Sequence, residues 1–123
     1  MLMIRFIHCI KSRPEISLEK FREFWHGAAF NQLLSEISVQ AGTRRISKNL
    51  TLNVDANNQL QEDRGAEDAY DAILEIWFDS ANSLLPLAEK SEVKQLFQQM
   101  EKLQQPIIDF YSSKRFFTEW NES

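Results

Sequence analysis

His8 and His26 are the two histidines of this chain, and their ordinary pKa near 6.5 suits proton transfer at neutral pH. His26 lies beside Trp25 in the aromatic-rich segment FREFWHGAAF. On a helix, it would lie about 100° round from Trp25, at the flank of the apolar face. A histidine also fits there as an amphipathic boundary residue. Because the sequence offers no partner for it, the boundary role is favoured, and His26 is a reserve catalytic candidate.

His8 is the stronger catalytic candidate. In MLMIRFIHCI it shares one side of an alternating pattern with Phe6 and Ile10, on the side expected to lie under helices. A buried imidazole needs a partner, because an unpaired buried polar group costs about 1–3 kcal/mol. Tyr70, a bound water or a ligand could supply that partner. A core histidine with its hydrogen bonds satisfied and a working histidine are both consistent with this pattern.

Glu75 is the third titratable side chain in an apolar setting, between Ile73 and Trp77. Burial between apolar neighbours would raise the pKa of a carboxyl group unless a cation compensates. Arg5 or Arg45 could do so, because strand alternation places both on the same face as Glu75. The favoured interpretation is an interface ion pair rather than a catalytic acid.

Several classes of chemistry lack their sequence patterns. The histidines show no His-x-x-x-His or Glu-x-x-His spacing, so no metal site is predicted. Three glycines in the whole chain form no phosphate-binding loop, and no Gly-x-Ser-x-Gly nucleophile elbow is present. We therefore expect no metal and no bound cofactor.

The composition predicts one compact domain, residues 1–123, with 43% hydrophobic residues. The net charge of −4 argues against a nucleic-acid partner. The single cysteine, Cys9, favours a reducing cytoplasm. No stretch approaches the roughly 18 apolar residues needed to cross a bilayer, so no membrane association is expected.

Apolar spacing predicts the elements of the first half of the chain. Residues 2–10 alternate as a strand. Ser17 is a helix N-cap, and apolar residues recurring every fourth position extend that helix to Gly42. A half-polar strand is predicted over residues 43–54. Residues 55–67 have no period and are predicted to form an exposed loop of undetermined role.

The second half supplies two strands and helical segments. YDAILEIWFD, residues 70–79, is rich in strand-favouring residues. Ser80 could cap a short helix that Pro86 interrupts, and Ser91 could cap another that ends near Pro106. KRFFTEW, residues 114–120, suits an edge strand. The order is that of an α+β, ferredoxin-like βαββαβ domain with an antiparallel sheet.

Helices cover only one face of such a sheet. The other face would carry Ile73, Glu75 and Trp77 and needs an apolar cover. A second copy of the same face is the economical cover, because two-fold interfaces are the commonest closed assembly. We therefore predict a homodimer that associates through the open sheet face.

Three segments of the chain together resemble a known family. RPEISLEKFREFW is similar to the helix-entry signature of the ethyl tert-butyl ether degradation (EthD) family of dimeric α/β-barrel proteins. AGTRRISKN resembles the entry to its second strand, and YDAILEIWFDS resembles its third strand. The order and spacing of the three agree over most of the chain. The resemblance implies a dimeric α/β barrel.

One position departs from the family pattern. Family members usually carry a histidine four residues after the tryptophan, and counting from Trp25 puts Ala29 there. The resemblance places a ligand pocket between the sheet and its helices, where small alanines would leave room. The residues expected to line that pocket are Phe6, Trp25, Ala28, Ala29, Leu74 and Phe97.

The resemblance implies a small-molecule role without a built-in cofactor. One expectation is an oxidoreductase, isomerase or cyclase acting on a small cyclic or aromatic metabolite, with His8 and Tyr70 as catalytic residues and His26 in reserve. The alternative is a non-catalytic binding or accessory protein. Ala29, in place of the usual histidine, favours the alternative. The substrate and the reaction stay open.

Overall fold

The computed structural model describes residues 3–121. Leu2, the first residue of the first predicted strand, lies outside the described residues. In chain order the elements are β1 (Met3–Ile10), α1 (Leu18–His26), α2 (Ala28–Ala41), β2 (Arg45–Leu50), α3 (Asp55–Arg64), β3 (Ala72–Phe78), a 3-10 helix (Ala81–Leu84), α4 (Leu85–Glu89), α5 (Ser91–Gln104) and β4 (Lys114–Trp120).

The sheet has the strand order β2-β3-β1-β4, and every neighbouring pair is antiparallel. This confirms the predicted α+β, ferredoxin-like fold, in which β1 and β3 are central. Helices α1, α2 and α5 pack on one face of the sheet. The largest fully buried side chains are Trp25, Phe21, Phe30, Phe78, Ile10, Ile37, Ile108 and Val93.

Strand alternation divides the sheet residues between two faces. His8 pairs with Leu74 on β3, and Phe6 pairs with Ile76, so these side chains share the helix-covered face. Glu75 lies opposite Ile7 on the other face. The predicted division of candidate residues between a covered and an open face is therefore confirmed.

The first predicted helix is in fact two helices, α1 and α2. Gly27 separates them with extended backbone angles, φ −71° and ψ 153°, and its N–H donates to the Phe24 carbonyl at 3.1 Å. Because α2 starts a new helical phase after this break, its buried stripe begins at Phe30 and continues through Leu33 and Ile37. The prediction of one unbroken stripe through Ala29 was wrong.

The second strand is shorter than predicted. β2 ends at Leu50, where its register with β3 ends at Ala72, and Leu52 and Val54 are exposed. β2 is an edge strand that pairs with β3 alone, so the alternation beyond Leu50 has no partner strand to continue on. The boundary at residue 54 was therefore wrong.

A helix occupies the segment predicted as a loop. α3 contains good helix formers, and Gly65 ends it in the left-handed region, at φ 62°, donating its N–H to the Gln61 and Glu62 carbonyls. No residue of α3 is buried, so it lacks the apolar stripe on which the sequence prediction depended. The segment is exposed, as expected, but it is not a loop.

The C-terminal half departs from prediction in its helix starts and in the bounds of β3, which is shorter than residues 70–79. Pro86 lies in the first turn of α4 rather than interrupting a helix, and Lys90, not Ser91, is the N-cap of α5. α5 ends at Gln104, before Pro106, and β4 covers the seven predicted residues. Across residues 3–121 the structure contains no helix with the length and apolarity to traverse a bilayer.

Candidate functional site

A cavity of about 390 Å³ lies between the helix-covered face of the sheet and helix α5. Its volume is within the range of roughly 300–1,000 Å³ that is usual for small-molecule sites. The wall is mostly apolar and includes Leu34 and Ile37 of α2 and Met100 of α5. Candidate residues His8, Phe6, Leu74 and Phe97 line it, together with Phe110, Ser113, Arg115 and Phe117 from the C-terminal segment.

His8 is the buried titratable side chain of this wall. Its residue is 4% exposed, and it lies between Leu74 of β3 and Arg115 of β4. Burial, with a smaller contribution from the positive charge of Arg115, lowers the pKa of His8 to about 4. The ring is therefore neutral at pH 7, with one nitrogen as donor and the other as acceptor.

The His8 ring has no hydrogen-bond partner among residues 3–121. A neutral imidazole beside a cavity can bond to whatever fills that cavity. The arrangement suits hydrogen bonding to a bound molecule, or removal of a proton from it.

Aromatic side chains form the wall next to His8. The rings of Phe6 and Phe117 meet edge to face, with centroids 5.5 Å apart, and Phe6 lies 6.4 Å from the His8 ring. Such rings offer flat apolar contact to a cyclic ligand. The wall thus combines an aromatic surface with one adjacent neutral imidazole.

Polar side chains from α5 and from the segment before β4 also line the cavity. Gln98, Glu101 and Gln104 come from α5, and Ser113 comes from the segment before β4. Ser113 is fixed in place, because its hydroxyl accepts from the Lys11 N–H at 2.9 Å and donates to the Asp109 carbonyl at 2.8 Å. The polar part of the lining is therefore partly preorganised.

Sequence reasoning missed Arg115 and Phe117 as lining residues. Both lie on β4, which was treated only as an edge strand. Strand alternation could have found them, because Arg115 pairs with His8 and Phe117 pairs with Phe6 in the β1–β4 register. The missing information was which strand pairs with β1.

The structure does not bring Tyr70 or His26 to His8. Tyr70 precedes β3, and neither Tyr70 nor His26 lines the cavity. The backbone carbonyl of Tyr70 accepts a hydrogen bond from the Thr51 hydroxyl. His26 is exposed at the C-terminal end of α1. Of the three predicted catalytic residues, the cavity wall includes His8 alone.

Half of the predicted pocket residues lie elsewhere. Phe6, Leu74 and Phe97 line the cavity, whereas Trp25, Ala28 and Ala29 do not. Trp25 is buried in the core, and the two alanines are exposed. The break at Gly27 turns the start of α2 away from the expected phase, which leaves Ala28 and Ala29 exposed.

Lys48 fills the space near the break between α1 and α2. Its ammonium nitrogen donates to the Trp25 carbonyl at 2.5 Å and to the Asn31 side-chain oxygen at 2.8 Å. It also lies 5.2 Å from the Trp25 ring centroid and 5.3 Å from that of Phe30. Desolvation lowers the pKa of Lys48. This cation joins β2 to the end of α1 and was not found from the sequence.

The open face of the sheet carries a cluster of charged side chains. Arg5 pairs with Glu75 at 3.6 Å, as one of the two predicted partners. Arg45 instead lies over the Trp77 ring, 5.1 Å from its centroid, and Arg5 lies 5.4 Å from the same centroid. Trp77 is consequently only 8% exposed in the single chain. This face is less bare than the sequence indicated.

The EthD domain family model matches residues 13–105. The chain belongs to the EthD family. The match includes α1, α2, β2, β3 and α5, and it confirms the resemblance seen in the sequence. No curated protein matches the chain.

Solved structures share the fold at low sequence identity. An EthD family protein from Bacillus halodurans C-125 is 16% identical with a TM-score of 0.62, covering 97% of this chain and 99% of its own. A dimeric ferredoxin-like protein from Bacteroides fragilis NCTC 9343 is 15% identical with a TM-score of 0.62, covering 96% of each chain. A hydroxynitrile lyase from Passiflora edulis is 14% identical with a TM-score of 0.61, covering 98% and 95%.

Proposed function

We propose that this EthD-family protein is a homodimeric, cofactor-independent enzyme that converts a small cyclic or aromatic molecule in the cavity beside α5. The reaction class is an isomerisation or cyclisation, or an oxidation in which molecular oxygen accepts the substrate electrons, and it begins with proton removal by His8. The observation that carries this proposal is a buried, neutral histidine on the wall of an apolar cavity, with no hydrogen-bond partner among residues 3–121.

The state of His8 supports a base rather than an acid. At pH 7 nearly all of the protein carries the neutral ring, so no fraction is lost to prior protonation. The lowered pKa also means a weak proton affinity in the empty cavity. A substrate whose leaving proton is itself acidic, such as a phenol proton or a C–H proton between two carbonyl groups, is therefore the best match.

The comparison with the Passiflora edulis hydroxynitrile lyase extends the range of reactions to test. That protein shares the fold with this chain at 14% identity. Aromatic cyanohydrins therefore belong in a substrate panel, beside cyclic and aromatic carbonyl compounds. The likeness supports the choice of panel and not the activity itself.

The test is a turnover screen of that panel without added cofactor, with products measured by mass spectrometry. His8→Gln keeps hydrogen-bonding groups but cannot transfer a proton, so we expect turnover to fall by about 100-fold or more. His26→Gln makes the same change at an exposed site and should leave turnover unchanged. Full activity in His8→Gln would contradict the proposed role.

A second candidate function is non-catalytic binding of the same small molecule. The observation in its favour is that Tyr70 does not line the cavity, which leaves His8 without the predicted tyrosine partner. In that case, a bound molecule would be recovered unchanged from the screen. Ala29 is exposed on α2 and does not touch the cavity, so it carries no argument for either function.

The homodimer is proposed through the open sheet face. Ile7 and Trp77 are nearly buried there, but Phe116 is 46% exposed and pairs in register with Ile7. The buried Nε of Arg5 also lacks a hydrogen-bond partner among residues 3–121. A second copy would supply both an apolar cover and polar groups. The dimeric description of the Bacteroides fragilis structure supports this arrangement.

A further inference from the structure

Two neighbouring pairs on β1 and β4 differ in their chemistry. Phe6 pairs with Phe117, and His8 pairs with Arg115. All four residues line the cavity. Successive pairs on one face are roughly 7 Å apart along the strands, because each residue rises about 3.3 Å. Along the strands, the cavity wall therefore presents a pair of aromatic rings and, next to it, an imidazole paired with a guanidinium.

Arg115 carries a charge that no protein group neutralises within residues 3–121. It forms no salt bridge in this part of the chain, although Glu101 of α5 also lines the cavity. Because Arg115 lies directly opposite His8 in the β1–β4 register, the two Cβ atoms are roughly 5 Å apart. Its positive charge is felt at the His8 ring.

We infer that the molecule bound in this cavity carries a carboxylate, which Arg115 binds while the rings of the ligand pack against Phe6 and Phe117. The inference rests on the proposed function, because it names the chemical class of the molecule at the same site. A guanidinium presents two parallel N–H groups that match the two oxygens of a carboxylate. The neutral His8 ring is then adjacent to the body of the ligand.

Glu101 limits where the carboxylate can lie. A ligand anion placed against α5 would meet a like charge, whereas one placed at β4 would meet Arg115. The apolar part of the ligand then extends along the wall towards Phe6 and Phe117, which are uncharged. The charge arrangement thus favours one orientation as well as one ligand class.

The test compares two probes of the same shape, 2-naphthoate and 2-naphthamide, by isothermal titration calorimetry. We expect the wild-type protein to bind the carboxylate about tenfold more tightly than the amide at low salt. Arg115→Gln should remove this preference and leave amide binding unchanged. Arg22→Gln makes the identical change on the exposed surface of α1, away from the cavity lining, and should keep the preference.

Salt dependence is a second readout of the same contact. Arg115 is exposed, so raising the ionic strength from about 0.02 M to 0.5 M should reduce the preference several-fold and leave amide binding nearly constant. Equal binding of both probes to the wild-type protein, or an unchanged preference in Arg115→Gln, would overturn the carboxylate inference alone. Binding of neither probe would overturn this inference together with the cavity on which the proposed function depends.

Discussion

His8 is a residue whose chemistry depends on its surroundings rather than on its identity. An ordinary histidine would be partly protonated near neutral pH, but burial keeps this one neutral well below pH 7. The same burial makes the stability of the protein depend on pH. Burial therefore both keeps the His8 ring neutral at the cavity wall and makes its protonation unfavourable in the folded protein.

We predict that protonation of His8 lowers stability in mild acid. The pKa of His8 is about 6.5 in the unfolded chain and about 4 in the folded protein. Above pH 6.5, both states are neutral and the stability is fully present. As the pH falls from 6.5 towards 4, the unfolded chain takes up a proton that the folded protein resists, so the free energy of unfolding falls. The total loss is roughly 3 kcal/mol at 1.36 kcal/mol per pKa unit.

Urea unfolding at a series of pH values measures this effect. His8→Leu has no group to titrate and should lack this part of the pH dependence between pH 6.5 and 5, before most carboxylates protonate. If the wild type and His8→Leu lose stability in parallel over that range, His8 is not held neutral by burial.

His8 could be predicted as a covered strand residue, but its pairing with Arg115 could not. Alternation in residues 2–10 placed it under the helices, and the structure agrees. Arg115 is separated from it by more than one hundred residues, and only the pairing of β1 with β4 brings the two together. Sequence periodicity describes one strand at a time, so a contact between strands lies outside its reach.

At the scale of elements, the break at Gly27 separates α1 from α2. An added Cβ at Gly27 would lie 2.8 Å from the Glu23 carbonyl oxygen and 3.2 Å from that of Phe24. The last turn of α1 therefore approaches Gly27 too closely for any larger residue. α1 ends where Gly27 adopts extended backbone angles, and α2 begins in a new phase after it.

We predict that Gly27→Ala destabilises the protein by about 1–3 kcal/mol, because the new methyl group must displace backbone atoms. Thermal or urea unfolding measures the change. A continuous helix over residues 18–41 would give the opposite sign, because alanine is favoured over glycine by roughly 0.5–1 kcal/mol inside a helix. As a matched control, Ala29→Gly at an exposed position of α2 should cost about 1 kcal/mol.

The elements that could be predicted are those with a strong apolar period. β4 was predicted to the residue, and β1, β3 and α5 to within one or two residues of the described bounds. α3 could not be found in this way because none of its residues is buried, and the break at Gly27 could not be found because helical periodicity continues on both sides of it. Both errors arise because apolar periodicity was the sole sign from which helices were predicted.

At the scale of the whole molecule, one face of the sheet lines the cavity, and we propose the other face as the dimer interface. The adjacent residues Phe116 and Phe117 are similarly exposed and point to opposite faces of β4. They make a matched pair for separating the two roles. The sequence predicted this division of faces, but it did not foresee that Arg5 and Arg45 cover Trp77 within one chain.

We predict that Phe116→Glu converts a homodimer to a monomer, because it places a charge in the proposed apolar contact. Phe117→Glu makes the same change on the cavity face and should remain dimeric. Light scattering coupled to size-exclusion chromatography measures both masses. A wild-type protein that is monomeric at high concentration, or a Phe116→Glu variant that stays dimeric, would rule out an interface on this face.

The cavity beside His8 is the centre of this account, and a crystal structure of the protein grown with 2-naphthoate or 2-naphthamide tests it most directly. We expect electron density for the fused rings between the sheet and α5, within about 4 Å of Phe6 and His8. Density that shows Phe97 and Leu34 closing the space, with no room for either probe at millimolar concentration, would contradict it.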